Sequence, residues 1–440
     1  MRIVVVGASG NVGTALLRRL RRERGVELAG VVRRLPGPDA GEPYDQVEWH
    51  SCDIGAPGAV GQLSEVFAGA DVVVHLAWQI QPSHDQRVLR RTNVDGSRAV
   101  VDAVVRAGVP ALVYASSVGV YAPGPKDHPI SERWPATGVS GSSYSEHKAE
   151  VEALLDEVER EHPTLRVVRM RPGLIFQRAA GVEITRYFLG PLAPVRLLRF
   201  GRIPLVPTNR RLRMQAVHAD DVADAYTRAV VGDARGAFNV AADPVLTPEL
   251  VARHFHGWTV PVAAPVLRAA AALSWRARLQ PVDAGWVELG LNAPLMSSER
   301  AETELGWHPT IDALAALKEL FAGMADGDHT GSPPMSGAPN LPGRPAALLH
   351  ARPPQAKETP TDPPHPPQPQ LVDQELSVRN RRPDDRNLLI TCAGAMSAAA
   401  QAGIGSGELG AGDSGVPGAQ EEDAGEASGL ELATGVAAQG

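Results

Sequence analysis

Tyr144 and Lys148 stand four residues apart in "SSYSEHKAEV", so a helix through them carries a phenol and an ammonium on one face. A phenol titrating near about 10 is a poor base at neutral pH, but an adjacent cation favours the phenolate and makes the pair a proton carrier. Upstream, "LVYASSVGVYA" closes an apolar run with Ser116 and Ser117. A hydroxyl there could hold the oxygen of a reacting alcohol or ketone, although paired serines after a strand also serve as ordinary turns or caps. At the beginning of the chain, "GASGNVG" sets glycines at 7, 10 and 13 between an apolar run and a helical pattern. Gly7 permits a sharp turn, Gly10 lets backbone N–H groups approach a pyrophosphate, and Gly13 lets helix and strand pack closely. The same spacing would serve a plain strand-to-helix turn.

Other residues bear on what this loop could hold. The second apolar run, "ELAGVVRR", ends in Arg33 and Arg34, where an acidic residue would bind ribose hydroxyls. A guanidinium suits a 2′-phosphate, so the expected cofactor is NADP or NAD, leaning to NADP; solvated loop charges are the alternative. Asp53, in "HSCDIG", is placed to accept from an adenine amino group or to cap the next helix. His218, Asp220 and Asp221 lack a fourth ligand nearby, and no metal is expected there or at "HFHGW". Trp78 and Trp134 are candidates for the wall of a substrate cavity.

These groups need a scaffold, and the hydrophobic pattern supplies one. "RIVVVG", "ELAGVV", "DVVVHLA", "ALVYAS" and "LRVVRMRP" are continuous apolar runs, the signature of strands buried on both faces. Segments with helical spacing lie between them, which predicts an α/β fold with a doubly wound, Rossmann-type parallel sheet. The expected domains are a dinucleotide-binding unit over 1–172, interleaved with a smaller substrate lobe over 173–323, then a Pro/Gly/Ala-rich disordered tail over 324–440.

The chain has 43 Lys and Arg against 50 Asp and Glu, a net charge of −7, which argues against nucleic acid as a partner. Two cysteines rule out a disulfide framework, and no apolar stretch is long enough to span a membrane. A cytoplasmic protein with a small-molecule substrate and no membrane partner is expected, and a homodimer is left open.

In order and spacing, "GASGNVG", "CDI", "DVVVHLA", "NVDGS", "YASSVGVY", "YSEHK", "RPG", "VHADDVA" and "ELGWHP" resemble the extended short-chain dehydrogenase/reductase family, in its NAD-dependent epimerase/dehydratase branch. The resemblance covers residues 1 to about 323. It implies that Tyr144 is the acid/base, that Lys148 lowers its pKa and binds the nicotinamide ribose, that Ser117 orients the reacting oxygen, and that Asn93 steadies the active-site helix. Gly7, Ser9, Gly10, Asn11, Val12 and Gly13 match the pyrophosphate loop, and Asp53 and Ile54 the adenine site. Leu76 and Ala77 match the wall behind the cofactor, and Pro172 and Gly173 its nicotinamide edge.

Val118 and Gly119 stand where sugar dehydratases of the family carry an Asp-Glu pair, and Arg213 lies one place from the arginine that binds a nucleotide diphosphate in its 4-epimerases. The expected activity is hydride exchange at a secondary alcohol or ketone, of a sugar or sugar nucleotide. The alternatives are an NADPH-dependent carbonyl reductase of the dihydroflavonol or steroid type and a nonenzymatic dinucleotide sensor.

Overall fold

A computed structural model describes residues 1–189 and 195–337. It opens with β1 (Arg2–Val6), α1 (Asn11–Leu20), β2 (Glu27–Val32), β3 (Glu48–Ser51), α2 (Ala59–Phe67) and β4 (Val72–His75). Next come α3 (Gln86–Arg90), a π-helical turn (Arg91–Asp95), α4 (Gly96–Arg106), β5 (Ala111–Ala115), β6 (Pro129–Ile130), α5 (Ser143–Glu161), β7 (Arg166–Pro172), β8 (Leu174–Phe176) and α6 (Gly181–Ile184). Then follow β9 (Leu205–Thr208), β10 (Met214–His218), α7 (Ala219–Val231), β11 (Gly236–Val240), β12 (Ala242–Leu246), α8 (Pro248–His254) and β13 (Trp258–Pro261). The last elements are α9 (Ala264–Arg276), α10 (Ala284–Asn292), β14 (Leu295–Met296), α11 (Glu299–Glu304) and α12 (Ala313–Asp326).

Seven strands form one parallel sheet in the order β11-β7-β5-β4-β1-β2-β3. Alternating side chains of β1 show why its pattern is continuous. Ile3 and Val5 pack with Leu16, Leu17 and Leu20 of α1 and with α7, while Val4 and Val6 pack on the other face with α2, α4 and α5. Each fully buried Val or Leu contributes about 1.5–3 kcal/mol, so the two layers fix the strand order. The chain runs outward through β2 and β3, then returns past β1 to β4. That reversal opens a crevice at the carboxyl ends of β1 and β4, where sheets of this kind bind ligands.

Two segments depart from the sequence reading. "AFNVAA" and "HADDVADAYTRAVV" fall within the range expected for the substrate lobe, yet β11 is the edge strand of the main sheet beside β7, and α7 packs on α1. The lobe is built instead from β8, β10 and β12 with β9, α8, β13, α9 and α10.

The expected tail also starts later. Residues 328–335 fold back as a strap in which Ser332 and Met335 are fully buried. Ser332 Oγ donates to the Ser9 carbonyl at 2.8 Å, and Thr14 Oγ1 to Met335 Sδ at 3.5 Å. Tyr44 donates to Thr330 Oγ1 at 3.0 Å, and Arg186 to the Pro334 carbonyl. The tail expected beyond residue 337 lies outside the described residues.

Candidate active site

The glycine loop is shaped by backbone crowding. Gly7 has φ +88°, and a Cβ there would sit 2.6 Å from the Ala77 nitrogen; one on Gly13 would sit 2.4 Å from the Ala8 oxygen. Gly10 is the N-cap of α1 and supplies no side chain to it, so the first N–H groups of the helix, at Asn11, Val12 and Gly13, face the crevice without a side-chain acceptor. An uncapped helix start behind a loop stripped of Cβ atoms fits the pyrophosphate of a dinucleotide. The wall opposite is tied to this loop, since Gln177 donates to the Asn11 carbonyl at 2.9 Å and Asn11 donates to the Ile175 carbonyl at 3.3 Å.

A cavity of about 370 Å³ runs from this loop into the lobe. Gly7, Gly10–Gly13, Leu76, Pro172 and Gly173 line it. Ser117 and Tyr144 line its floor. The remaining candidates sit elsewhere. Ser9 is buried and turned to the strap, and Ala77 contributes only backbone beneath Gly7. Ile54 is buried against Gly96, while Asp53 accepts from the Gly55 N–H at 3.1 Å and pairs with Arg91 at 3.3 Å.

The two serines separate cleanly. Ser116 donates to Glu152 inside the protein, whereas Ser117 Oγ accepts from the Gly119 N–H at 3.0 Å and lies beside the Tyr144 phenol, whose pKa it lowers. Gly119 leaves room for this pairing, because a Cβ on it would lie 2.9 Å from Tyr144 Cε1. Ser145 fastens the start of α5 to the same loop by donating to the Gly119 carbonyl and accepting from the Val139 N–H at 2.7 Å. One turn beyond Lys148, Glu152 binds Arg171 Nε at 2.8 Å and Arg169 Nη1 at 3.4 Å, riveting α5 to β7. Burial opposes the Glu152 charge, but Arg171, Ser116 and Arg169 hold its carboxyl below the usual range.

Lys148 is buried beside the end of β5 and the Trp78 ring. Its ammonium donates to the Ala115 carbonyl, lies 3.5 Å from the Tyr114 hydroxyl and sits 3.6 Å from the centroid of the Trp78 ring. Burial drives its pKa well down, against the pull of Glu152. Burial likewise raises the Tyr144 phenol, which the neighbouring Ser117 hydroxyl offsets only in part. Trp78, on the cavity wall, meets the Tyr144 ring edge-on at 6.0 Å and lies over Lys148. Asn93 acts on the same region indirectly. It accepts from the Gln79 N–H at 2.7 Å and donates to the Gln79 carbonyl at 3.0 Å, clamping the segment that carries Trp78.

Sequence reasoning passed over three residues of the cavity. Trp286 packs on Tyr144 with ring centroids 5.0 Å apart, and as an isolated tryptophan at a helix start it gave no signal. Lys126 donates to the carbonyls of Arg213 at 3.0 Å and Gly290 at 2.9 Å; burial, with Arg211 and Arg213 nearby, lowers its pKa to about 7. Glu183 is buried with Oε2 unpartnered, and burial raises its carboxyl to about 7 against the counter-pull of Arg186. Trp134, by contrast, packs in a separate cluster with Val120 and Tyr121. His218 caps α7, its Nδ1 accepting from the Asp220 N–H at 3.1 Å. Among the described residues no group of three His, Cys, Asp or Glu is placed to share a metal ion, and no helix is long and apolar enough to cross a membrane.

Comparison with known proteins supplies the context. A stretch of 183 residues is 30% identical to the sterol-4-alpha-carboxylate 3-dehydrogenase (decarboxylating) of Saccharomyces cerevisiae; it covers 40% of this chain and 51% of that enzyme. The chain thus spans about half the length of that relative. An uncharacterised protein of Mycobacterium tuberculosis is 25% identical over 333 residues, 73% of this chain and 83% of that one. Among solved structures, UDP-glucose 4-epimerase of Thermus thermophilus in complex with NAD superposes with a TM-score of 0.55 at 21% identity, covering 74% of this chain and 99% of that one. A dTDP-glucose 4,6-dehydratase of Streptomyces venezuelae with NAD bound gives 0.56 at 18% identity, covering 74% and 97%. At these identities the likeness is one of fold.

The lean to NADP is corrected by these findings. Similar solved structures that are described with a dinucleotide bound hold NAD. In this chain the side chains of Arg33 and Arg34 are exposed and outside the cavity wall, as solvated loop charges would be. The family model described as NAD dependent epimerase/dehydratase family matches residues 3–241, more than half the chain. With that match lying across the crevice, the glycine loop and the Ser117–Tyr144 pair, the chain belongs to the NAD-dependent epimerase/dehydratase family.

Proposed function

We propose that the protein exchanges hydride with NAD at a secondary alcohol or ketone of a sugar or sugar nucleotide, with Tyr144 moving the proton. The observation that carries this reading is the placement of Ser117 and Tyr144 side by side on the floor of a cavity that begins at the uncapped helix of the glycine loop. NAD, when bound, supplies the hydride acceptor or donor. Ser117 holds the substrate oxygen and Tyr144 takes or returns its proton, a step for which positioned acid–base groups contribute about 10²–10⁴-fold. Leu76, Pro172 and Gly173 bound the space beside them and limit access of water. The Lys126 and Arg213 end of the cavity, where Arg213 Nε is buried without a partner, suits an anionic group such as the phosphate of a sugar nucleotide.

A second reading is favoured by the rest of the lining. Trp78, Ile80, Phe176, Phe188, Trp286 and Leu289 make the walls largely apolar, as an alicyclic alcohol of the steroid kind would require, and the yeast relative is named for a sterol substrate. Turnover with NAD is therefore to be assayed on UDP-hexoses and on 3β-hydroxysteroids in parallel, with wild type and Tyr144→Phe. Tyr144→Phe should lose at least about a hundredfold in turnover while binding NAD normally. Undiminished turnover in that variant sinks the assignment of Tyr144, and turnover of the steroids alone selects the second reading.

A further inference from the structure

Ten large apolar side chains are exposed among the described residues, and six of them fall at residue 200 or within residues 258–279: Phe200, Trp258, Val260, Val266, Leu273 and Leu279. Trp258 is 80% exposed, Phe200 68%, Leu273 65% and Leu279 62%. They are carried by adjoining pieces of the lobe. β13 pairs with β9 so that Trp258 lies opposite Leu205, and the Ile203 N–H donates to the Phe255 carbonyl at 3.0 Å, which brings the Phe200 segment alongside β13. α9 follows β13 after two residues. It buries Leu267 and Ala271 with Val287 and Leu291 of α10 and turns Val266, Ala269, Leu273 and Arg276 outward at spacings of three, four and three, one helical face without a partner.

Within the segments that carry these residues the charges have one sign, and Glu288 of α10, an acidic neighbour of α9, is paired with Arg268 at 2.5 Å. Residues 195–219 and 250–282 contain no Asp or Glu. Arg199, Arg202, Arg253, Arg276 and Arg278 are exposed and make no ion pair among the described residues. In a chain with a net charge of −7 this is a local reversal, and it coincides with the exposed apolar side chains. Aromatic and aliphatic groups flanked by unpaired arginines match the interface of an anionic bilayer, where apolar side chains enter the acyl boundary and guanidinium groups meet lipid phosphates. A second copy of this chain fits poorly, because a two-fold contact would set arginines against arginines.

We propose that the β13–α9 face of the lobe docks on the surface of an anionic lipid bilayer. The protein lies on such a surface and does not cross it. α9 packs on α10, and α10 presents Trp286, Val287 and Leu289 to the cavity, so the docked face backs directly onto the cavity wall. The proposal is independent of the substrate and of the catalytic assignment.

The test is co-sedimentation of the full chain with phosphatidylcholine vesicles, with and without about 30% phosphatidylglycerol. Wild type should sediment with the anionic vesicles only, release at about 0.5 M salt, and show a blue shift of tryptophan emission that Trp258→Phe diminishes. Trp258→Glu/Leu273→Glu and, separately, Arg276→Ala/Arg278→Ala should each weaken vesicle binding at least about tenfold, with melting temperatures near wild type because all four positions are exposed. The proposal is overturned by absent binding to anionic vesicles, equal binding to neutral ones, or undiminished binding in both variants, which would place the contact elsewhere on the chain. It is also overturned if wild type forms a dimer that Trp258→Glu/Leu273→Glu dissociates without any vesicle binding, since a second copy would then cover the face.

Discussion

Replacing Gly10 and Gly13 with alanine, one at a time, separates the shape of the loop from its use. Gly10 has φ −80° and ψ −178°, extended geometry open to any residue, and the nearest atom to an added Cβ is the Gly7 oxygen at 3.6 Å, an ordinary contact. Alanine there should leave stability unchanged or raise it by about 0.4–1 kcal/mol, because it restricts the unfolded chain without clashing in the folded one. The added methyl group would stand beside the free N–H groups of α1, and a pyrophosphate would have to withdraw from them. Loss of one such charge-assisted hydrogen bond costs about 1.5–3 kcal/mol, or roughly ten- to hundredfold in NAD affinity. At Gly13 the Cβ would lie 2.4 Å from the Ala8 oxygen and 2.6 Å from the Gly7 oxygen, both backbone atoms that no rotamer change can move. Alanine there should cost about 1–3 kcal/mol in stability and disturb NAD binding as a consequence. Urea melts give the first quantity and calorimetric titration with NAD the second. A Gly10→Ala protein that binds NAD as tightly as wild type would show that no phosphate approaches this loop, and the cofactor site would have to be sought elsewhere.

Other perturbations probe the surroundings of the site. The Glu183 carboxyl, raised by burial from 4.5 to about 7, favours the fold fully below about pH 4.5, and that contribution fades as the pH rises through 7. Glu183→Gln should therefore gain up to about 3 kcal/mol on wild type between pH 5 and pH 8, and parallel urea midpoints for the two proteins across that range would count against it. A chain ending at residue 337 should melt like the full chain. One ending at residue 327 loses the buried Met335 and Ser332 and should lose about 2–4 kcal/mol, so identical melts would mean that the strap contributes nothing. Glu152→Ala leaves Arg171 buried without its carboxylate and should cost about 3–5 kcal/mol by urea denaturation. Trp78→Ala uncovers the Lys148 ammonium and should shift the pH at which Lys148 reacts with an amine-selective reagent upward, because water then reaches it; an unchanged profile would show that the indole does not control that charge.

Much of the scaffold was readable in one dimension because the sheet obeys local rules. β1, β2, β4 and β5 are buried on both faces and lack polar residues in alternation, so their runs stand out, while β7 is apolar only in part and holds Arg169 and Arg171 inside by pairing them with Glu152. The glycine loop was legible for a related reason, since backbone crowding at Gly7 and Gly13 admits no other residue. The strap was not. "DHTGSPPM" has the composition of a linker, and its order comes from two buried side chains and a few hydrogen bonds to partners about 150 to 320 residues away, with no periodicity to betray them. β11 was misplaced in the lobe because an edge strand beside β7 reads the same as a short strand anywhere else.

The site itself shows where spacing stops informing. Tyr at i and Lys at i+4 does put both side chains on one side of α5, but the direction of the ammonium is set by what the tertiary fold brings to it: the Ala115 carbonyl at the end of β5 and the Trp78 ring beyond the end of β4. Neither is near Lys148 in sequence, and Asn93 holds the second in place through Gln79. Burial then acts on both partners in the same sense, raising the phenol and lowering the ammonium, so each is driven toward its neutral form. A phenolate at neutral pH therefore needs a further positive charge close to Tyr144, or a Lys148 released from beneath the indole. The identity of the two residues was thus legible in the sequence, whereas the burial that bears on their charge was not, because it is set by partners far away along the chain.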